Sequence, residues 1–279
     1  DPDGGTRGIF QNLNVFEYVT IATPGNATDF GDPTTSRSLC AGCNNDTRGI
    51  LAGGGGSYYD TIDYITVATP GNATDFGNLT QTMGYLVGYN SDVRGVIAGG
   101  YKSGNHNFID YITTATPGNA TDFGDLTVNR GETMGAFHSD VRGVCGGGNA
   151  SGVSNVIDYT TIATPGNATD FGDLVVATKG LGGVNNLTRG VFMGGDESPA
   201  NFIQYVTIAT PSNTTDFGDL LEASDGSNAA CHSMTRGLYQ HGRQTYEIQY
   251  ITIDTTGNAI DFGDTASNLN QTTGFNDGF

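Results

Sequence analysis

Basic residues are scarce in this chain of 279 residues: eleven Lys plus Arg stand against 29 Asp plus Glu, for a formal charge of −18. Nucleic-acid binding draws on clustered Lys and Arg, so the charge disfavours a nucleic-acid partner and none is expected, and an anionic membrane surface would repel the chain. No apolar run approaches the roughly 20 residues that a membrane-spanning helix needs, which argues against membrane insertion. Cysteine is equally sparse, with four residues. Cys40 and Cys43 form a C-x-x-C, a spacing that redox centres and half of a zinc site share, but no second C-x-x-C or clustered His pair completes a ligand set. Cys43 and Cys231 fall where other repeats place Tyr89, Phe137 and Val184, and Cys145 where they place Leu51, Ile97 and Phe192. Buried structural thiols are the expectation.

The signatures of catalysis are missing too. No G-x-S-x-G elbow occurs, and no Gly-rich segment opens a helix that would hold phosphate. The four His (His106, His138, His232 and His241) read as occupying different repeat positions, so that no common site gathers them. A pair of acids at glycosidase separation is not something spacing alone shows. The chain is therefore read as non-enzymatic and without cofactor or metal. A polysaccharide-degrading enzyme is the remaining catalytic alternative.

What the chain has in abundance is repetition. ATPGNATDFGD or a near copy starts at Ala22, Ala68, Ala115, Ala163 and Ala209, with TTGNAIDFGD from Thr255. The Asp of D-F-G falls at Asp29, Asp75, Asp122, Asp170, Asp216 and Asp261, and the Arg of a second motif, R-G, at Arg7, Arg48, Arg94, Arg142, Arg189 and Arg236. A period in the forties fits propeller blades and some helical repeats. Local pattern decides for strands. VRGVIAGG and IDYITTAT are short, rich in β-branched and aromatic residues, and bounded by Gly, Asn, Pro and Ser. Helical periodicity is absent, and 44 Gly would weaken a helical solenoid by roughly 1 kcal/mol per internal Gly.

The expected fold is all-β: one six-bladed β-propeller over residues 1–279, four antiparallel strands per blade. Blade 1 takes residues 6–35 plus 272–279, blade 2 takes 38–82, blade 3 83–130, blade 4 131–178, blade 5 179–224 and blade 6 226–268. In blade 3 the strands are placed at Gly84 to Tyr89, Arg94 to Gly99, Ile109 to Thr116, and near Phe123 to Val128. The chain begins with a second-strand motif, GGTRGIF, and ends with an inner-strand motif, QTTGFNDGF. Each end supplies what the other lacks, and closure of the ring by the C-terminal strand covers edges that would otherwise pair with other sheets. The chain opens at Asp1 and not at Met, with no recognisable signal peptide, so we expect a processed product or part of something longer.

Strands ending in a Gly pair, ILAGG, VIAGG, VCGGG and VFMGG, each followed by a Tyr-bearing strand, resemble the kelch-type β-propeller. The chain departs from kelch in having no Trp, and its end blades carry Gln11-Asn12 and His241-Gly242 in place of the Gly pair. The wording I-D-Y-I-T-I-A-T, G-N-A-T-D-F-G-D-L and T-R-G-V-F-x-G-G resembles repeat proteins of marine bacteriophages, particularly cyanophages, taken as virion components such as tail fibres. That resemblance implies a structural or host-recognition role at the virion surface, outside the cell, with other virion proteins as partners.

Six copies of an Arg and an Asp read as braces. An Arg fork holds a carboxylate or several carbonyls at once, and each repeat offers the D-F-G Asp and a further acid at Glu17, Asp63, Asp110 or Asp158. Pro117-Gly118 and its counterparts suit a type II turn. A Ca²⁺ site through Asp122 and Asp125 is the functional alternative there, although the turn lacks the dense oxygen-ligand series of known loops. N-x-T sequons at Asn26, Asn72, Asn119, Asn167 and Asn213 would carry glycans only in a secretory host. Individuality lies elsewhere, in the loops between second and third strands: GGSYYDT, YKSGNHNF, GNASGVSN and DESPAN. Those loops share one face of a propeller with the crossovers between blades, and loops on rigid scaffolds carry binding residues. Tyr58, Tyr59, Tyr101, Lys102, His106 and Asn107 are the candidate binding residues, suited to a host surface glycan or protein. The expected function is host recognition by adhesion; a passive module docked on other virion subunits is the alternative.

Overall fold

The computed structural model describes residues 7–132, 134–224, 226, 229–242, 245–267 and 273–276, and these form strands and turns without a helix. Thr6, Asn268, Thr272 and residues 277–279, which bound or close blades in the sequence reading, lie outside the described residues. Blade 1 contains β1 (Arg7–Asn12), β2 (Val15–Thr20) and β3 (Thr28–Gly31), and blade 2 contains β4 (Ala41–Asn44), β5 (Arg48–Ala52), β6 (Tyr59–Thr66) and β7 (Thr74–Met83). Blade 3 follows with β8 (Val87–Asn90), β9 (Arg94–Ala98), β10 (Phe108–Thr113) and β11 (Thr121–Asp125). Blade 4 has β12 (Gly135–His138), β13 (Arg142–Gly146), β14 (Val156–Thr161) and β15 (Thr169–Asp173). Blade 5 has β16 (Gly182–Asn185), β17 (Arg189–Met193), β18 (Phe202–Thr207) and β19 (Thr215–Asp219). Blade 6 has β20 (Ala229–His232), β21 (Arg236–Gln240), β22 (Glu247–Thr252) and β23 (Ile260–Asp264).

The last strand, β24 (Thr273–Asn276), returns to blade 1 and pairs antiparallel with β1, Gly8 facing Asn276 and Gln11 facing Thr273. Inner strands touch in the order β24, β4, β8, β12, β16, β20 and back to β24. The result is a closed six-bladed β-propeller, whose plan is compatible with a kelch-like repeat.

In blade 3 the strand limits shift from the sequence reading wherever a turn intervenes. The third strand stops at Thr113, because the Thr116 N–H folds back onto the Thr113 carbonyl at 3.1 Å. The inner strand starts at Val87, because Tyr85 has φ 59°, outside the extended region. The outer strand ends at Asp125, because the Leu126 N–H leaves the ladder for the Asn107 carbonyl at 2.7 Å.

Each interface between blades has its own apolar core. Between blades 2 and 3, for example, Cys43, Ile50 and Phe76 pack with Ile97 and Ile112. All four cysteines are buried and outside disulfides, and burial pushes the Cys40, Cys43 and Cys145 thiols up to about 12. The thiolate is the form that attacks disulfides and binds zinc, so the C-x-x-C pair is held in its inert state.

Three repeated residues tie each blade to the next, and each set closes around the ring. The R-G Arg lies over the Tyr of its own blade, 4.4–5.1 Å from the ring centroid, and that Tyr meets the D-F-G Phe edge-on at 5.8–6.0 Å. The guanidinium reaches across the interface to a backbone carbonyl beyond the next blade's third strand: Arg7 donates to Val67, Arg48 to Thr114, Arg94 to Ile162, Arg142 to Ile208, Arg189 to Ile253 and Arg236 to Ile21. Of the two partners open to the Arg fork, carboxylate or carbonyl, the fold uses the carbonyl. Asp29, Asp75, Asp122, Asp170, Asp216 and Asp261 are exposed, and none joins an ion pair among the described residues.

The further acids have another task. Glu17, Asp63, Asp110 and Asp158, with Gln204 and Gln249 at the same register, are buried and accept a backbone N–H from the end of the preceding blade. The donors are Ala266, Thr34, Thr80, Thr127, Val175 and Leu221 in that order, at 2.8–3.3 Å. Gln does in two blades what a carboxylate does in four, so this contact asks for an acceptor oxygen and not for a charge. The third set is the turn Asn. Asn72 Oδ1 accepts the Asp32 N–H at 3.1 Å while the neighbouring Ala73 N–H donates to the Asp32 carbonyl at 2.8 Å. Asn119, Asn167, Asn213, Asn258 and Asn26 repeat this two-point clasp on Asn78, Asp125, Asp173, Asp219 and Asp264. The D-F-G glycines allow it: at Gly31, with φ +144°, an added Cβ would lie 2.4 Å from the Gly71 carbonyl oxygen of the next blade.

Candidate binding face

Loops between second and third strands lie beside the crossovers that enter their own blade and the next. Gly55 donates its N–H to the Ser38 carbonyl, Tyr101 to Gly84, and Gly148 to Thr178. One face of the ring therefore carries both sets of variable segments; the opposite face carries the PGNATD turns.

On the variable face, blades 3 and 4 build the same small loop from different side chains. Tyr101 bridges Asn105 as Asn149 bridges Val153, and the Lys102 N–H meets the Gly104 carbonyl as the Ala150 N–H meets Gly152. These loops differ in chemistry and not in length or path, a refinement of the sequence reading. Asn105 Nδ2 donates to the Ala150 carbonyl at 2.6 Å and fastens one loop to the other.

The candidate residues are partly gathered. Tyr101 stands edge-on to Tyr85, ring centroids 6.0 Å apart. Lys102 is exposed and hydrogen-bonds the Thr82 hydroxyl, and the His106 ring meets the Lys102 carbonyl at 3.2 Å. Asn107 is half-buried, its carbonyl taken by Leu126. Tyr58, at φ 54°, ends the loop of blade 2, and Tyr59 opens β6, where it pairs with Met83 at the end of β7, just before the crossover that carries Tyr85. Sequence comparison confined to the loops missed Tyr85, which sits on a crossover. Its signal was an aromatic residue where blades 5 and 6 place Gly180 and Gly226 at φ 71° and 79°. Leu39, Tyr85 and Glu132 hold the same left-handed conformation without glycine's freedom, and such positions persist only where the surroundings fix them. Further round the rim, Lys179 bridges Glu132 at 2.9 Å and Asp196 at 3.6 Å.

Along the axis, small residues bring the inner strands together. A Cβ on Gly88 would fall 2.3 Å from the Gly42 carbonyl oxygen, and one on Gly183 2.0 Å from that of Ala136. The axial cavity on the variable face has a volume of about 90 Å³ and is rimmed by Leu39, Leu86, Met134 and Leu181. Small-molecule pockets start near ~300 Å³. A ligand of that size has to be met on the rim loops.

At the other end of the axis the last residues of the inner strands form a polar ring of Asn276, Asn44, Asn90, His138, Asn185 and His232. Asn90 Oδ1 accepts the Asn44 N–H at 3.1 Å and Asn185 Oδ1 the His138 N–H at 3.2 Å. The expectation that the histidines share no position is overturned here. His138 and His232 each lie four residues before the R-G Arg, and closure brings their rings to 6.2 Å, centroid to centroid. Both are buried, and loss of hydration lowers His138 to about 4 and His232 to about 3. His106 and His241 do sit apart from them: His106 in the blade 3 loop, and His241 after β21, its Nε2 3.0 Å from the Glu222 carbonyl. Among the described residues no three His, Cys, Asp or Glu side chains converge as a metal cluster. The chain matches no protein-family model and no curated protein.

Proposed function

We propose that the chain is a non-enzymatic recognition module that uses the variable face of its propeller to hold a glycan of a host cell surface. The observation that carries this reading is the pair of loops in blades 3 and 4, alike in backbone and different in side chains, on a ring whose other face repeats itself blade by blade. A scaffold that keeps the path and changes the chemistry suits recognition. Tyr59, Tyr85 and Tyr101 offer ring faces for sugar C–H groups, and Lys102 and His106 stand beside them as hydrogen-bonding groups. The resemblance to bacteriophage repeat proteins supports a virion surface or tail-fibre setting.

The test is a glycan array, followed by cell binding, with the intact chain and with Tyr85→Ala and Tyr101→Ala. Saturable binding that these substitutions weaken is the expected result. Binding to a purified virion subunit in place of any glycan would establish the docking alternative, and release of sugar from envelope polysaccharide would establish an enzyme.

A further inference from the structure

The polar ring on the axis lies on the opposite face from the proposed recognition loops and has features that recognition leaves unexplained. Four of its six members are Asn, each on its own inner strand, and the two imidazoles stand on blades 4 and 6 with Asn185 between them. We propose that this end of the axis binds one borderline transition-metal dication, of the class of Cu²⁺, Ni²⁺ or Zn²⁺, between His138 and His232.

Distance is the first argument. An imidazole nitrogen binds such an ion at about 2.0–2.1 Å, which places the ion ~3.2 Å from the ring centroid. Two such radii sum to ~6.4 Å, so rings whose centroids are 6.2 Å apart, tilted by 59°, stand at the separation for one ion held between nearly opposed nitrogens. Burial is the second: both imidazoles are held inside the ring, 8% and 7% exposed, so the ligands need little ordering when the ion arrives.

Space and polarity agree. The ring borders a cavity of about 50 Å³, and a cavity holds a water in roughly 10–15 Å³, so an ion with a few waters fits. Asn276 Nδ2 lines this cavity and is buried with no hydrogen-bond acceptor, a donor suited to the oxygen of a metal-bound water. Outside the ring, Asp46, Asp92 and Asp140 border the vestibule beside His138, and the chain carries a net charge of −18. Such a mouth draws in cations. Imidazoles among carboxamides suit a borderline dication better than Ca²⁺ or Mg²⁺, which take oxygen ligands.

The experiment uses the full chain, stripped with chelator and titrated with Cu²⁺ or Zn²⁺ by calorimetry, alongside electron paramagnetic resonance of the Cu²⁺ form. One equivalent per chain is expected, with nitrogen superhyperfine structure from two imidazoles. His138→Asn and His232→Asn introduce the residue that four other blades carry at this position, which favours retention of the fold. Each should weaken binding by about a hundredfold or more, since loss of a group that merely orients a ligand already costs about 10- to 100-fold. Absence of stoichiometric binding, an oxygen-only Cu²⁺ spectrum, or undiminished binding by the double variant would each overturn the proposal. The spectrum of the unaltered chain decides without reliance on any variant.

Discussion

Arg130 and Asp158 form an ion pair of 2.8 Å with both side chains fully buried, Arg130 arriving on the crossover into blade 4 and Asp158 on its third strand. Asp158 also accepts the Thr127 N–H from the end of blade 3, so one carboxylate binds a crossover and two blades. Arg37 and Asp63 repeat the arrangement at 3.0 Å in blade 2. Blade 3 manages without it: Met83 occupies the Arg place, and Asp110 keeps its bonds to Thr80.

Removing one partner of a buried pair costs about 3–5 kcal/mol, and replacing both by well-packed neutral groups costs far less. Arg130→Met should therefore lower the urea midpoint strongly, whereas Arg130→Met with Asp158→Gln should recover most of the loss, because Gln204 and Gln249 accept the same backbone N–H without charge. A double variant as unstable as the single one would show that the charge itself is needed.

Two glycines of one repeat, Gly118 in the turn and Gly124 on β11 after it, should respond in opposite ways. Gly124 has φ +145°, and a Cβ there would lie 2.6 Å from the Gly166 carbonyl carbon of the next blade, while a Cβ on Gly118 meets nothing within 4 Å. Gly124→Ala should destabilise by about 2–4 kcal/mol through strain and a backbone clash, and Gly118→Ala should stay within about 0.5 kcal/mol. Denaturant melts of the two variants, side by side, check this.

The repeat made the propeller legible, because D-F-G and R-G recur at fixed places and mark the blades directly. The closing strand was legible as well, since GGTRGIF and QTTGFNDGF are complementary halves of one blade. The pairing partners were not. The repeated Arg suited a carboxylate or carbonyls without deciding between them; it bonds a carbonyl one blade ahead, a relation that depends on how blades stack and leaves no trace in composition. Arg37 and Arg130 escaped because they occur in two crossovers and not six. The histidine pair was readable: counting back from Arg142 and Arg236 gives His138 and His232 the same place, and a closed ring must bring such residues to the axis.

Closure of the ring depends on one side chain in particular. Phe275 of β24 is 3% exposed, packs with Ile9, Leu51 and Ile65 between blades 1 and 2, and meets Phe16 edge-on at 6.2 Å. Phe275→Ala removes that packing and leaves a cavity, at a cost of about 3–5 kcal/mol. Because it loosens the joint between the two ends of the chain, hydrogen exchange should accelerate first in β1 and β24. Uniform acceleration across all six blades would contradict a local closing role.

Acid should act through the axial pair. His138 and His232 titrate near 4 and 3 in the folded chain and near 6.5 when unfolded, so between those limits the unfolded chain takes up protons that the buried rings refuse. The stability present above about pH 6.5 is thus lost as pH falls, at about 1.4 kcal/mol per pH unit for each histidine. The ring centroids stand 6.2 Å apart, with Asn185 on the blade between, and Asp46, Asp92 and Asp140 are the acids bordering the vestibule beside His138. Asp110, whose carboxyl is raised by burial, works in the opposite direction, binding its proton more readily when folded. The informative quantity is therefore the difference between the chelator-treated chain and its His138→Asn, His232→Asn double variant, with urea midpoints followed from pH 7 to about 4.5. The gap between the two should move in favour of the variant as pH falls. A constant gap would mean that the imidazoles are already hydrated in the folded ring, and that the axis is open to water at this end.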